Sequence, residues 1–147
     1  MSWFNYYGLI AVVAILLPNI IAAMVDKDAF QNKFNSKALV VVEQVGRYCS
    51  MAFMVFNIPY TYFNFWFDNA LAVYLIVGGC LILFYYLGWI VFRKNMCTIK
   101  MIWLSVTPTV LFLFCAILVA SIPLVLSSIL FGIGHITISY NNRSEDK

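Results

Sequence analysis

The chain has 147 residues, of which 64% are hydrophobic, 18% aromatic and only 10% charged. So little polar surface cannot coat a water-soluble globule of this size, and the composition defines an integral membrane protein. The net charge of +3 sits in short basic clusters beside apolar runs, which speaks to membrane orientation and gives no reason to expect a nucleic-acid partner.

Crossing ~30 Å of hydrocarbon takes about 20 helical residues. The first run long enough, residues 3–24, is followed by the polar segment "VDKDAFQNKFNSK". It lacks a basic leading region and carries Pro18 and Asn19 near its end, so it reads as a retained span and not as a removable signal peptide.

The second run, residues 38–58, contains "VVVEQVGRYCSMAFMVFN". Steps of three and four residues connect Glu43, Arg47, Ser50, Met54 and Asn57, with Gly46 beside the first two, so these residues share one helical stripe. A charged residue at mid-membrane costs about 2.5–3.5 kcal/mol on insertion scales, which turns this stripe into the bundle. Glu43 precedes Arg47 by one turn, so the two side chains can meet.

The loop "PYTYFNFWFDN" follows. Tyr and Trp favour the membrane interface, so the loop reads as an anchor, with a ligand-binding lip as the alternative. Asp68 and Asn69 are expected to cap the next helix. That third run, residues 70–92, places Tyr74, Gly78, Leu81, Tyr85 and Gly88 on one stripe and closes with "RKNMCTIK".

The last apolar run, Met101 to Tyr140, is about 40 residues long. As one helix it would reach roughly 60 Å, twice the hydrocarbon thickness, so it is expected to fold back. Pro123 in "VASIPL" is the expected break, giving spans 101–120 and 123–140. A four-span chain with a long kinked last segment is the alternative. Ser128, Gly132, His135 and Ser139 share a stripe on the fifth helix, and small residues there and at Gly78 and Gly88 would admit close backbone approach. The third and fifth helices are therefore expected to flank the second.

The expected fold is thus an all-α bundle of five transmembrane helices forming a single domain. Charge supports the count. Lys27, Lys33, Lys37, Arg93, Lys94, Lys100, Arg143 and Lys147 all fall on one side of a five-span chain, which predicts the N-terminus outside and the C-terminus in the cytoplasm. Asn142-Arg143-Ser144 matches a glycosylation sequon on the cytoplasmic side, where it would stay unmodified.

Cys49, Cys80, Cys97 and Cys115 show no CxxC spacing and three lie deep within separate spans, so they read as buried thiols used as small apolar side chains and not as a redox or zinc site. No motif asks for a cofactor or metal: there is no P-loop and no HExxH, and the "GIG" of "FGIGH" lacks a dinucleotide-loop context.

Counting inward at ~1.5 Å per residue puts Asn19, Glu43, Tyr85 and His135 at one depth, roughly 7–13 Å from the basic ends of their spans, with Arg47 a turn deeper. This predicts one intramembrane cluster of Glu43, Arg47 and His135 with Asn19 and Tyr85 as hydrogen-bonding neighbours. The bland reading is a structural pair that fixes helix register beside a satisfied histidine. The functional reading is a proton relay or a polar head-group site.

The stretches "PNII" (18–21), "EQVGRY" (43–48), "FMVFNIPYTYF" (53–63), "GWIVF" (88–92) and "FGIGHITISYNN" (131–142) together resemble a group of small polytopic membrane proteins of clostridial and related Gram-positive bacteria. The resemblance covers nearly the whole chain. It implies the cytoplasmic membrane of a bacterium and brings no activity with it.

Three function classes follow. The favoured one is a non-catalytic membrane component: an accessory subunit, a homo-oligomer, or a protein that binds lipid or another membrane protein. The second is a small proton-coupled transporter using Glu43, Arg47 and His135. The third, with least support, is an enzyme acting on a lipid head group, because no nucleophile or metal constellation accompanies the acid and base. A polar cavity open to one side around Glu43, Arg47 and His135 would favour transport, room for a head group within reach of His135 would favour an enzyme, and a sealed, dry contact would leave only the structural pair.

Overall fold

The computed structural model describes residues 3–25, 36–92 and 98–142. These form five helices: α1 (Tyr6–Val25), α2 (Lys37–Val55), α3 (Ala70–Val91), α4 (Thr98–Leu118) and α5 (Ile122–Asn141). Each is long and apolar enough to cross a membrane. No strand occurs among the described residues, and the last apolar run is two helices and not one.

Local chemistry sets the helix ends. Asn5 precedes α1, and its Oδ1 accepts a hydrogen bond from the Gly8 amide at 3.1 Å, as an N-cap should. Ser36 takes the same role for α2, with its Oγ 3.5 Å from the Leu39 amide. Asn69 stands at the cap of α3, but its side chain makes no capping bond, contrary to expectation. Helix α2 stops at Val55, three residues earlier than its apolar run, because Phe56 turns extended and pairs with Phe4. The Asn5 amide then donates to the Val55 carbonyl and the Asn57 amide to the Trp3 carbonyl, both at 2.8 Å.

The break between α4 and α5 lies within "VASIPL", as expected, and its turning residue is Ala120 and not Pro123. Ala120 adopts a left-handed conformation (φ 47°). The Ser121 amide bonds the Ala116 carbonyl and the Ala120 amide bonds the Ile117 carbonyl, the paired arrangement of a Schellman helix end. Pro123 instead stands in the first turn of α5, where its missing N–H costs nothing.

The aromatic loop is tied to this turn. The Ile122 amide donates to the Thr61 carbonyl at 3.0 Å, the Phe63 amide to the Ala120 carbonyl at 3.3 Å, and Tyr62 bridges Ser121. One end of the bundle, the aromatic end, is therefore laced by backbone hydrogen bonds. Tyr60, at its tip, is 97% exposed.

Seen down the bundle, the helices form a ring in the order α1, α2, α5, α4, α3 and back to α1. The expected flanking of α2 by α3 and α5 is half corrected: α5 packs along α2, but α3 packs chiefly on α4 and α1. The α2–α5 seam is the tightest. A Cβ on Gly46 would lie 2.4 Å from the Phe131 amide nitrogen, and one on Gly134 would lie 2.6 Å from the Glu43 Cβ. Each helix thus presents a glycine to the other's backbone, in antiparallel register.

Of the other small residues expected to pack helices, Gly132 meets Thr109 of α4 and Gly88 meets the Trp103 indole of α4. Gly78 sits in ordinary contact with Leu111, and Ser128 is fully buried, donating to the Leu124 carbonyl. Of the cysteines, Cys115 is buried and Cys49 half-buried, but Cys80 is exposed on the outer surface, which corrects the expectation for that residue. Cys97 lies outside the described residues.

Met54, Leu111, Phe112, Cys115 and Leu124 form the core, most of it toward the aromatic end. Large apolar side chains such as Ile76, Leu83 and Ile90 cover the outside of the bundle. Apolar surface on this scale would be unfavourable in water and matches hydrocarbon.

Candidate functional site

Glu43 is 3% exposed and has a glycine, Gly134, against its backbone. That close approach brings the next residue, His135, alongside its carboxylate. His135 Nδ1 lies 3.1 Å from Glu43 Oε1, and the Arg47 guanidinium forms an ion pair with the same oxygen. His135 is held in orientation by stacking on Phe131, with ring centroids 4.7 Å apart. One buried carboxylate therefore takes two donors from two helices, as a buried anion requires.

Asn19 and Tyr85 pair with each other. The Tyr85 hydroxyl donates to Asn19 Oδ1 at 2.7 Å, joining α3 to α1. The neighbouring Tyr86 hydroxyl donates to the Ala14 carbonyl at 2.9 Å. Pro18 lies four residues after Ala14 and has no N–H, so this carbonyl has lost its helical donor and Tyr86 supplies another. The five residues expected to cluster thus form two groups, a Glu43–Arg47–His135 triad and an Asn19–Tyr85 pair.

Both groups border one cavity of about 800 Å³. All five helices line it. Arg47 and His135 contribute from α2 and α5, Asn19 from α1, Tyr85 from α3 and Ser105 from α4. Glu43 lies behind this wall and does not line it. The polar belt is flanked by apolar side chains, Ile15, Met51 and Phe112 toward the aromatic end and Val25 and Ile90 toward the other. Lys100, whose Nζ lies 5.5 Å from the Trp89 ring centroid, stands near that second end, with Trp89 also in the lining.

The cavity is therefore bordered by Arg47, His135 and Lys100, while the Glu43 carboxylate that pairs with Arg47 stands behind its wall. Its volume matches a site for one small ligand, about 300–1,000 Å³, with mostly apolar walls and few convergent polar groups. No set of residues that could hold a metal ion occurs among the described residues.

Sequence reasoning missed Lys100, Ser105 and Trp89 as lining residues, and missed the contact made by Gly134. Lys100 and Ser105 stand on the basic half of a helix whose rotation no charge pattern reveals. Gly134 was visible only as part of a discounted "GIG". Comparison with protein families, with curated proteins and with solved structures finds no match to this chain. The fold and site define a bundle of five membrane-length helices with a cavity to which every helix contributes.

Proposed function

We propose that the chain is a non-catalytic, lipid-binding component of a membrane, with its cavity holding one anionic amphiphile. The observation that carries this reading is the cavity itself: polar groups from all five helices converge on one apolar-walled space, with Arg47 and His135 facing it and Glu43 withdrawn. A purely structural ion pair would need no such space. The aromatic end faces outward and the basic end faces the cytoplasm of a bacterial cell, in keeping with the distribution of Lys and Arg.

The test is lipid retention. Protein purified in mild detergent is offered a mixture of phosphatidylcholine, phosphatidylglycerol and a long-chain fatty acid, and bound species are identified by native mass spectrometry. Selective retention of an anionic species, lost on Arg47→Met with Glu43→Gln, is expected. Equal retention of all three by both proteins would refute the site.

A second reading, a proton-coupled carrier, draws on the hydrogen bond between His135 at the cavity wall and the buried Glu43. It requires pH-driven proton uptake into proteoliposomes that Glu43→Gln abolishes; no uptake leaves the binding reading alone.

A further inference from the structure

Of the three side chains in the triad, two reach the cavity. Arg47 and His135 leave 34% and 23% of their side-chain surface open, and both border the cavity, whereas Glu43 leaves 4% and does not. The Arg47 guanidinium and the Glu43 carboxylate cancel, so the triad has no net charge while His135 is neutral and one positive charge when it is protonated. The state of one ring therefore decides whether this part of the wall attracts an anion.

The α2–α5 seam fixes how that ring is presented. The Glu43 carboxylate oxygen 3.1 Å away can only accept, so His135 Nδ1 carries a hydrogen. Phe131 stacks on the ring with 20° between the planes, and the close approach at Gly46 seats the Phe131 backbone against α2. The other nitrogen, Nε2, has no hydrogen-bond partner among the described residues and is not sealed in by them. In a neutral ring Nε2 offers a lone pair, which repels the oxygens of an acid group; in the imidazolium it offers an N–H, which binds them.

The other ionisable groups around this space come from three helices: Glu43 and Arg47 from α2, Lys100 from α4, and Tyr85 and Tyr86 from α3, while α1 lends none among the described residues. Histidine is the side chain whose charge ordinarily changes between about pH 5 and 8. From this geometry we infer that the cavity takes up its anion together with one proton, which comes from the surrounding water and settles on His135, so that occupancy falls as the pH rises. The inference rests on the binding reading above and adds its regulation. Anion and proton together bring no net charge into the bundle, the less costly event in a medium that penalises unpaired charge. The linkage is reciprocal: the imidazolium favours the anion, and the bound anion favours the imidazolium.

His135 is the only histidine in the sequence, so its ring can be followed directly. The test uses the full chain in a neutral detergent, purified without a histidine tag, and phosphatidylglycerol, whose phosphodiester keeps one negative charge throughout. The imidazole, isotope-labelled, is titrated by NMR without lipid and with saturating lipid, and lipid affinity is measured by calorimetry across the same range. Phosphatidylglycerol should move the titration midpoint up by about one pH unit or more, and its affinity should fall by up to about tenfold per pH unit between about pH 6 and 8. Phosphatidylcholine should leave the midpoint in place; an equal shift would show that His135 does not answer to the anion and overturn the proposal.

His135→Gln, which cannot take the proton, should flatten the pH profile at its weak, alkaline level. A variant profile that still falls with pH would place the proton elsewhere and overturn the assignment to His135. Should this variant not fold, the imidazole titration of the native chain still decides. If phosphatidylglycerol binds with an affinity independent of pH and leaves the midpoint unmoved, the proton linkage is wrong and the binding reading survives. If it binds at neither end of the pH range, the binding reading itself fails and the linkage with it.

Discussion

At the scale of single residues, the Glu43 carboxylate is the costliest group in the bundle. It is buried, and Arg47 and His135 are the donors that hold it. Arg47→Met strands this charge with one donor and should cost about 3 kcal/mol, as breaking buried pairs does. Adding Glu43→Gln removes the stranded charge, so the double variant should recover most of the loss, a strongly non-additive result readable in denaturant unfolding of the purified protein. Equal and additive losses would show that the two residues do not act as a pair. The Glu43–Arg47 contact was legible because it lies within one helix, where spacing alone decides proximity. His135 was reachable by counting depth. The pairing of Asn19 with Tyr85, apart from the triad, was not, because depth says nothing of how α1 and α3 are rotated about their axes.

At the scale of helices, glycine decides the packing and gives predictions of opposite sign. Alanine normally improves a helix interior over glycine by ~1 kcal/mol. At Gly79, where an added Cβ meets nothing within 4 Å, Gly79→Ala should therefore stabilise by up to about 1 kcal/mol. At Gly46 the added methyl would run into the α5 backbone, so Gly46→Ala should destabilise by about 1–3 kcal/mol despite the better propensity. Thermal or denaturant unfolding of the two variants side by side checks the pair, and a gain at both would contradict the close α2–α5 seam. Hydropathy and the 40-residue length of the last run made five helices legible before any packing was known. The final break falls within the expected "VASIPL", but Pro123 is the louder signal there, while Ala120 gives no sequence hint that it adopts the left-handed turn. The neighbours of α2 were misjudged for a related reason: small-residue stripes on α3 and α5 look alike, but that on α3 is used against α4, at Trp103 and Leu111.

At the scale of the whole molecule, the aromatic end and the basic end differ in chemistry and in closure. Tyr60→Cys, in a chain with its native cysteines removed, should react with a membrane-impermeant maleimide added outside intact cells. Labelling only after the cells are opened would reverse the proposed orientation. The cavity as a whole was beyond the reach of sequence, since it is bounded by five helices and exists only when their ring has closed. The attachment of α1 has a mechanical consequence. Tyr86 holds it at Ala14 and Tyr85 at Asn19, so only residues 20–25, about 9 Å, lie beyond the last of these bonds, and on the order of 10° of tilt there carries the tip roughly 1.5 Å. The wall that α1 lends to the cavity is therefore stiff, its position set by two tyrosine hydroxyls of α3.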